Sequence, residues 1–192
     1  MSADDSILIA RLLPPLTSLN QSESDFIASL FESVWLKKGE FFIKTGDSVT
    51  KVAFVVEGIL CRYSYDQKGQ KIIDQFLFDN HFFTDRKGFF SRQHSFTTIQ
   101  TLTPCHLWTI PINEIETLRN TNLKFTLIID SIIQKTMDHQ MDLKNMLLVN
   151  DQLQRIRHFN DLHAHWLPFI PKRDIQRYLN ISHTYYYQIQ KK

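Results

Sequence analysis

The chain has 192 residues, of which 43% are hydrophobic and 22% charged, proportions that are typical of a folded globular protein and exclude a disordered chain. The formal net charge is +2, but residues 151–192 hold seven Lys and Arg against three Asp, a basic end that suits either phosphate contacts or a solvated helix surface. Cys61 and Cys105 are too few for a disulfide framework, and neither a signal peptide nor a bilayer-length apolar run is recognisable, so we expect a cytoplasmic protein without a membrane partner.

The first segment, residues 3–36, is predicted to be helical with a break at Pro14–Pro15. Ser22 followed by Asp25 resembles the start of a second helix in this segment. The apolar face of that helix would consist of Phe26, Leu30, Phe31 and Val34.

The period changes between Glu40 and Ile110, where short runs rich in aromatic and β-branched residues follow one another. Turn signals such as Gly46–Asp47, Glu57–Gly58 and Asp66 to Gly69 separate these runs. Regular short strands of this kind indicate a closed or sandwiched antiparallel β structure.

A helical pattern returns after Pro111, first over residues 113–122 and then over a long segment, 123–150, that lacks Gly and Pro. The apolar stripe of the long helix exceeds what one side of a small barrel would cover, which favours pairing with a second copy of the chain. The alternative is that the helix packs only across its own domain. The predicted dimer face consists of Phe125, Ile129, Ile132, Ile133, Met137, Met141 and Leu148.

The last segment, residues 171–192, has the pattern of two short helices joined by a tight turn. Asn180 occupies the turn, where a positive φ is expected, and Ser182 is a suitable N-cap for the second helix. Apolar residues at helical spacing would hold the two helices together, namely Ile175, Leu179, Ile181, Tyr186 and Ile189. The pattern predicts a helix-turn-helix that binds double-stranded DNA.

The side chains left on the outer face of this helix pair can contact a duplex. Gln pairs with adenine, Thr meets a thymine methyl group, and Lys and Arg bind phosphates or guanine. The predicted DNA-binding residues are Lys172, Arg173, Ser182, His183, Thr184, Tyr187, Gln188, Lys191 and Lys192. Any amphipathic helical hairpin gives a similar pattern. The position of this segment after a long helix that is predicted to dimerise supports the helix-turn-helix interpretation.

The order of these elements resembles the Crp/Fnr superfamily of bacterial transcription factors, named after the cyclic-AMP receptor protein and the fumarate–nitrate regulator. The chain is most similar to the short branch, common in Bacteroidetes, that is insensitive to cyclic nucleotides. The resemblance begins at about residue 20 and rests on KKGEFFIKTGD (37–47), VAFVVEGILCRYSYDQKGQKII (52–73), DNHFFTD (79–85) and RDIQRYLNISHTYYYQIQKK (173–192).

The resemblance implies an α+β fold in three parts. Residues 1–112 would form amino-terminal helices and an antiparallel β-roll (jelly roll) of the cyclic-nucleotide-binding type, 113–150 the connecting and dimerisation helices, and 151–192 a helix-turn-helix without a following wing. It further implies a homodimer on a pseudo-palindromic site, with RNA polymerase as a further candidate partner. The effector is either an unknown small molecule or none.

The chain departs from the family pattern where nucleotide-binding members hold the cyclic phosphate. Thr84–Asp85 stands in place of Gly–Glu, and the Arg–Ser pair falls near Ser95–Phe96, so a buried phosphate has no evident cationic partner. We therefore expect no response to cyclic AMP. The candidate effector pocket consists of Phe83, Thr84, Asp85, Arg86 and Arg92.

The helix pair also departs from the pattern. Tyr187-Gln188-Ile189-Gln190 replaces the S-R-I-R sequence frequent in the recognition helix, so phosphate attraction should be weaker and base preference different. Gln176 replaces a small residue where the two helices cross, and the glutamine is tolerable there if its side chain tilts outward.

Other functions have less support in the sequence. Two cysteines cannot hold the iron–sulfur cluster of the oxygen-sensing branch, and no haem motif is present, so we expect no cofactor. His158, His163 and His165 are close in sequence but do not share one helix face, and we expect no metal site. The catalytic motifs of hydrolases, nucleotide-binding enzymes and zinc proteases are missing, so we expect no enzyme activity. A small-ligand-binding or protein-interaction dimer with a decayed helix-turn-helix remains the alternative.

Overall fold

A computed structural model describes residues 19–91, 93–149 and 151–190 of the chain. The first described helix, α1 (Gln21–Ser29), begins with a capping box in which Asn20 and Glu23 exchange side-chain and backbone hydrogen bonds. The predicted Ser22–Asp25 start is therefore wrong, and the predicted helix also extends too far, because Glu32–Leu36 is a strand, β1. Residues 3–18 of that prediction lie outside the described residues.

Eight strands form the β-roll that the sequence predicts. Besides β1 they are β2 (Phe41–Ile43), β3 (Lys51–Glu57), β4 (Leu60–Tyr65), β5 (Lys71–Leu77), β6 (Phe82–Phe83), β7 (Thr98–Thr101) and β8 (Cys105–Pro111), with a short helix, α2 (Arg86–Ser91), between β6 and β7. They make two antiparallel four-stranded sheets. In the first sheet the order is β1-β8-β3-β6, and in the second it is β2-β7-β4-β5.

The turn between β3 and β4 requires a glycine. Gly58 has a φ of +110°, and a Cβ atom there would lie 2.6 Å from the carbonyl oxygen of Pro104. The backbone amide of Gly58 donates to Asp79 Oδ1 at 2.9 Å, which joins this turn to the one between β5 and β6. The β-roll turn at this position therefore tolerates no side chain.

Two helices follow the roll, α3 (Ile112–Thr121) and the long helix α4 (Leu123–Val149), as the sequence predicts. The carboxy-terminal helices are α5 (Gln152–His163), α6 (Lys172–Leu179) and α7 (His183–Gln190), with a single 3-10 turn at Leu167–Phe169. No helix within the described ranges is both long and apolar enough to cross a bilayer.

Three apolar clusters place these elements in layers. One fills the roll between the two sheets, around Val55, Leu60 and Leu107. A second lies between the first sheet and helices α1, α3 and α4, around Trp108 and Phe125. A third lies between the second sheet and the carboxy-terminal helices, and its aromatic members include Phe76, Phe159, Tyr178 and Tyr186. The roll thus packs against helices on both of its outer faces.

Candidate functional site

The carboxy-terminal helix pair has the turn geometry that the sequence predicts. Asn180 ends α6 in the left-handed region with φ 51° and ψ 56°, and its amide bonds to the carbonyls of Arg177 and Gln176. Ser182 Oγ accepts a hydrogen bond from the amide of Tyr185 at 3.3 Å, so the serine caps α7. Ser182, one of the predicted DNA-binding residues, therefore stabilises the start of the second helix.

The helix pair is fixed to the roll. The ring of Tyr178 lies 5.2 Å from that of Phe76 on β5, and Tyr186 is buried in the same cluster. Lys71 Nζ on β5 lies 3.0 Å from Asp174 Oδ2 at the start of α6, and Arg177 Nη1 lies 3.1 Å from the other oxygen of Asp174. Since both sides of this contact are largely buried, the orientation of α6 and α7 is set by the second sheet.

The outer face of α7 consists of polar and aromatic side chains, as predicted. His183, Thr184, Tyr187 and Gln188 are all exposed, and the rings of His183 and Tyr187 lie 4.5 Å apart. Arg173 and Lys172 are exposed at the start of α6, with Lys172 Nζ 5.6 Å from the centre of the Tyr187 ring. The two remaining predicted residues, Lys191 and Lys192, lie outside the described residues.

Gln176 is buried rather than tilted outward. Its side chain is 5% exposed at the crossing of the two helices, and among the described residues its Nε2 atom has no hydrogen-bond partner. An unpaired amide in this position costs stability.

Asp85, predicted to line the effector pocket, is instead enclosed by hydrogen-bond donors. Its Oδ2 atom accepts bonds from Ser95 Oγ at 2.6 Å, Thr97 Oγ1 at 2.9 Å and the amides of Phe96 and Thr97 at 3.2 and 3.3 Å. Its Oδ1 atom accepts a bond from the amide of Gly88 at 3.0 Å. Burial raises the pKa of Asp85, but these hydrogen bonds outweigh it, and the net pKa is below the ordinary value.

The donors around Asp85 form an anion-binding site, and the carboxylate of Asp85 is the anion that occupies it. Two hydroxyls and three backbone amides converge on one carboxylate, and Ser95–Phe96 is the pair that stands where the family's Arg–Ser is expected. Hydroxyls and amides in this arrangement bind phosphate or carboxylate equally well. Because Asp85 already fills it, a phosphate would have to displace a buried carboxylate of like charge.

The other members of the predicted effector pocket line a cavity. Phe83, Thr84 and Arg86 contribute to a space of about 150 Å³ between the roll and α4, whereas Arg92 lies outside the described residues. Arg62 on β4 also lines this cavity, although it was not among the predicted pocket residues. A charged residue at an inward-facing position of an otherwise apolar strand was the signal available in the sequence.

The apolar stripe of α4 divides between the chain's own core and its surface. Phe125 is 6% exposed and packs with α1 and the first sheet, while Ile129 and Ile132 lie against the same cluster. Met137, Met141 and Leu148 remain exposed, as does Leu127, which was not in the predicted set. The prediction that Phe125 faces a partner is therefore corrected, because the chain's own core covers its ring.

The histidines do not form a metal centre among the described residues. His81 Nε2 and His139 Nε2 lie 3.2 Å apart, between the roll and α4. His163 stacks on Phe78 at a ring distance of 4.0 Å, and burial, with the charges of the surrounding histidines, lowers its pKa to about 4. His163 therefore joins α5 to the roll in its neutral form at neutral pH.

Comparison with known proteins agrees with this architecture. The family model described as the cyclic nucleotide-binding domain matches residues 33–122. No curated protein sequence matches the chain.

Three solved structures have a similar fold at low sequence identity. FixK2 from Bradyrhizobium japonicum has a TM-score of 0.71 at 14% identity, over 84% of this chain and 83% of that one. A structure assigned to a Crp/Fnr family transcriptional regulator from Eubacterium rectale has 0.70 at 16%, over 94% and 86%. The c-di-GMP responsive global regulator CLP of Xanthomonas campestris has 0.61 at 15%, over 85% and 86%. Residues 33–122 thus match the cyclic nucleotide-binding domain model, and the overall fold of the chain is similar to that of FixK2, CLP and a Crp/Fnr family transcriptional regulator.

Proposed function

We propose that this protein is a bacterial transcription regulator of the Crp/Fnr type that binds DNA as a homodimer and does not respond to cyclic AMP. The observation that carries the proposal is the outer face of α7, where His183, Thr184, Tyr187 and Gln188 are exposed on a helix whose opposite side is buried. A short helix held in this way can enter a major groove, with Gln188 against a base edge and Arg173 against a phosphate.

The dimer is proposed on the exposed part of the α4 stripe. Leu127, Met137, Met141 and Leu148 are between 47% and 81% exposed, and they recur at spacings that place them along one side of the helix. A row of exposed apolar side chains on a long helix favours contact with a second copy. Two copies joined there would present two reading helices to a pseudo-palindromic duplex, with RNA polymerase as a further candidate partner.

The lack of a cyclic-AMP response follows from Asp85. The carboxylate occupies the donors that a cyclic phosphate would need, and its charge opposes the approach of a second anion. Ser95 and Phe96 supply no guanidinium to offset that repulsion.

Selection of bound sequences from a random duplex pool tests the DNA-binding proposal. We expect a palindromic consensus and an affinity that falls steeply with salt. Gln188→Ala should relax the preference at one base position, whereas Arg173→Ala should weaken binding to all sequences by a similar factor. A consensus without symmetry, or the same consensus for wild type and Gln188→Ala, would contradict the proposed reading face.

A second candidate function is a small-ligand-binding or protein-interaction β-roll dimer whose helix-turn-helix has decayed. The observation in its favour is that the described length of α7, His183–Gln190, contains no Lys or Arg. Such a protein would bind duplex DNA weakly at every salt concentration, so the salt series separates the two candidates.

A further inference from the structure

The cavity between the roll and the long helix has an apolar wall. Side chains from the first sheet, α1, α2, α3 and α4 line it, with Phe82, Phe89, Ile115, Ile128 and Ile133 as examples. Its volume of about 150 Å³ is that of a cavity that accommodates a single aromatic ring. The cavity opens to solvent beside Phe90 and Met137, both of which are exposed.

One buried cation lies in this apolar wall. Arg62 is 5% exposed, yet its guanidinium makes few contacts. Nη2 donates to the carbonyl oxygen of Thr84 at 2.8 Å, and Nη1 lies 3.7 Å from Asp74 Oδ2, beyond hydrogen-bond distance. Nε has no hydrogen-bond partner in the described part of the chain. A guanidinium has five N–H donors, so much of this buried group's capacity is unused.

The nearby carboxylates offset the charge of Arg62 without short hydrogen bonds to it: Asp74 forms an ion pair with Nη1 at 3.7 Å, and Asp85 acts through its charge. Asp85 is committed to the five donors around it, and the side chain of Asp74 is half exposed at the edge of β5. Arg86, which also lines the cavity, adds a second positive charge near its rim. An ion pair of this length leaves part of the buried guanidinium's hydrogen-bonding capacity unused, and the unpaired donors are suited to an acceptor supplied by a ligand.

We propose that this cavity binds a small monocarboxylic acid with an apolar body about the size of one aromatic ring, and that Arg62 receives the carboxylate. The apolar wall excludes multiply charged ligands, because they would lose more hydration than one guanidinium restores. The guanidinium in turn distinguishes an acid from a neutral molecule of the same shape. The inference deepens the proposed function, since it names the class of effector for the same β-roll.

The cavity adjoins the elements that position the helix pair. Gln140 on α4 lines it and donates to Gln75 Oε1 on β5 at 3.1 Å, and Gln75 pairs with Arg62 in the ladder between β4 and β5. The same strand, β5, holds α6 through the Lys71–Asp174 ion pair. An acid bound at Arg62 would therefore contact α4 directly, and it would be linked to β5, the strand that holds α6, through Gln75.

The first test uses the wild-type full chain and two probes that differ only in charge, phenylacetate and phenylacetamide. Binding is measured by calorimetry and by the NMR shifts of isoleucine methyl groups. We expect phenylacetate to bind at least about tenfold more tightly than the amide, because only the acid forms a charged hydrogen bond with Arg62. The shifts should include Ile128 and Ile133. Equal binding of the two probes, or no binding of either, would overturn the proposal.

Two matched variants locate the charge. Arg62→Gln should reduce phenylacetate affinity by at least about tenfold and leave the amide unchanged, whereas Arg157→Gln, on the exposed face of α5, should change neither. Unchanged acid binding in Arg62→Gln would assign the carboxylate elsewhere and overturn the proposal. If Arg62→Gln does not fold, the comparison of acid and amide on the wild type decides alone. Duplex binding is measured separately on the ligand-free protein, so a failure of DNA binding does not affect this result.

Discussion

The two outer faces of the β-roll are covered to different extents. On the second sheet, Phe76, Phe159, Tyr178 and Tyr186 pack into one cluster with the carboxy-terminal helices. On the first sheet, the long helix leaves a cavity of about 150 Å³ and a row of exposed apolar side chains. A helix contact packed without a cavity fixes geometry, whereas a helix contact that encloses a cavity can accept a ligand or a partner. We infer that the second sheet orients the helix pair and that the first sheet is available for regulation.

The largest expected difference between the faces concerns stability. Phe159→Ala should lower the free energy of unfolding by about 3–5 kcal/mol, because it opens a cavity in a packed cluster. Leu127→Ala, on the exposed side of α4, should cost less than about 0.5 kcal/mol in the monomer. Urea unfolding over a range of protein concentrations measures both. Similar losses for the two variants would show that the faces are equally packed.

Asp85 gives the next largest effect. Asp85→Ala should cost about 2–4 kcal/mol, because several buried donors lose their acceptor. Asp85→Asn should cost less, since it keeps one carbonyl oxygen. Because the pKa of Asp85 is lowered on folding, its contribution is present above the ordinary carboxyl pKa near 3.8 and is lost as the pH falls through the lower folded value.

The control for Asp85 is Asp47, whose carboxylate accepts one backbone hydrogen bond in an exposed turn. Asp47→Ala should cost about 1 kcal/mol or less. Unfolding at neutral pH and in acid compares the variants. If Asp85→Ala costs no more than Asp47→Ala, the enclosed carboxylate is not a structural anion, and the proposed insensitivity to cyclic AMP loses its physical basis.

His163, which packs against Phe78, should make the stability of the folded protein depend on pH. The folded pKa of about 4 is below the ordinary value of 6.5, so the unfolded chain binds the proton more readily between these values. Stability should therefore be full above pH 6.5 and fall as the pH decreases from 6.5 to 4. Allowing for partial exposure of the ring, we expect a loss of about 1–2 kcal/mol. His163→Phe should remove this part of the slope, whereas His94→Phe, at an exposed position, should retain it.

The smallest effect concerns Gln176. Replacing it with Met keeps the volume and removes an amide that lacks a partner, so Gln176→Met should stabilise the protein by about 0.5–1 kcal/mol. Gln188→Met on the exposed side of α7 should change stability by less than about 0.5 kcal/mol. Thermal unfolding of both variants measures the difference. A destabilised Gln176→Met would mean that the amide is satisfied in solution.

Local chemistry in the sequence predicted much of the fold. The turn residues and short aromatic runs gave the strands of the roll, and Asn180 and Ser182 gave the turn and cap of the helix pair. The first segment was predicted less well. Glu32–Leu36 was assigned to a helix, because the pairing of β1 with β8 is a long-range contact that no local pattern reports.

The sequence by itself determined the order of the elements and the polar face of α7, because periodicity and turn chemistry act between near neighbours. Only the tertiary structure decided that Asp85 is enclosed by donors, that Arg62 lies buried beside a cavity, and that Gln176 is covered. Those three facts depend on which distant residues surround a side chain. Burial and electrostatic partners are set by packing of the whole chain, so local pattern named Asp85 and Gln176 without their environments and did not name Arg62.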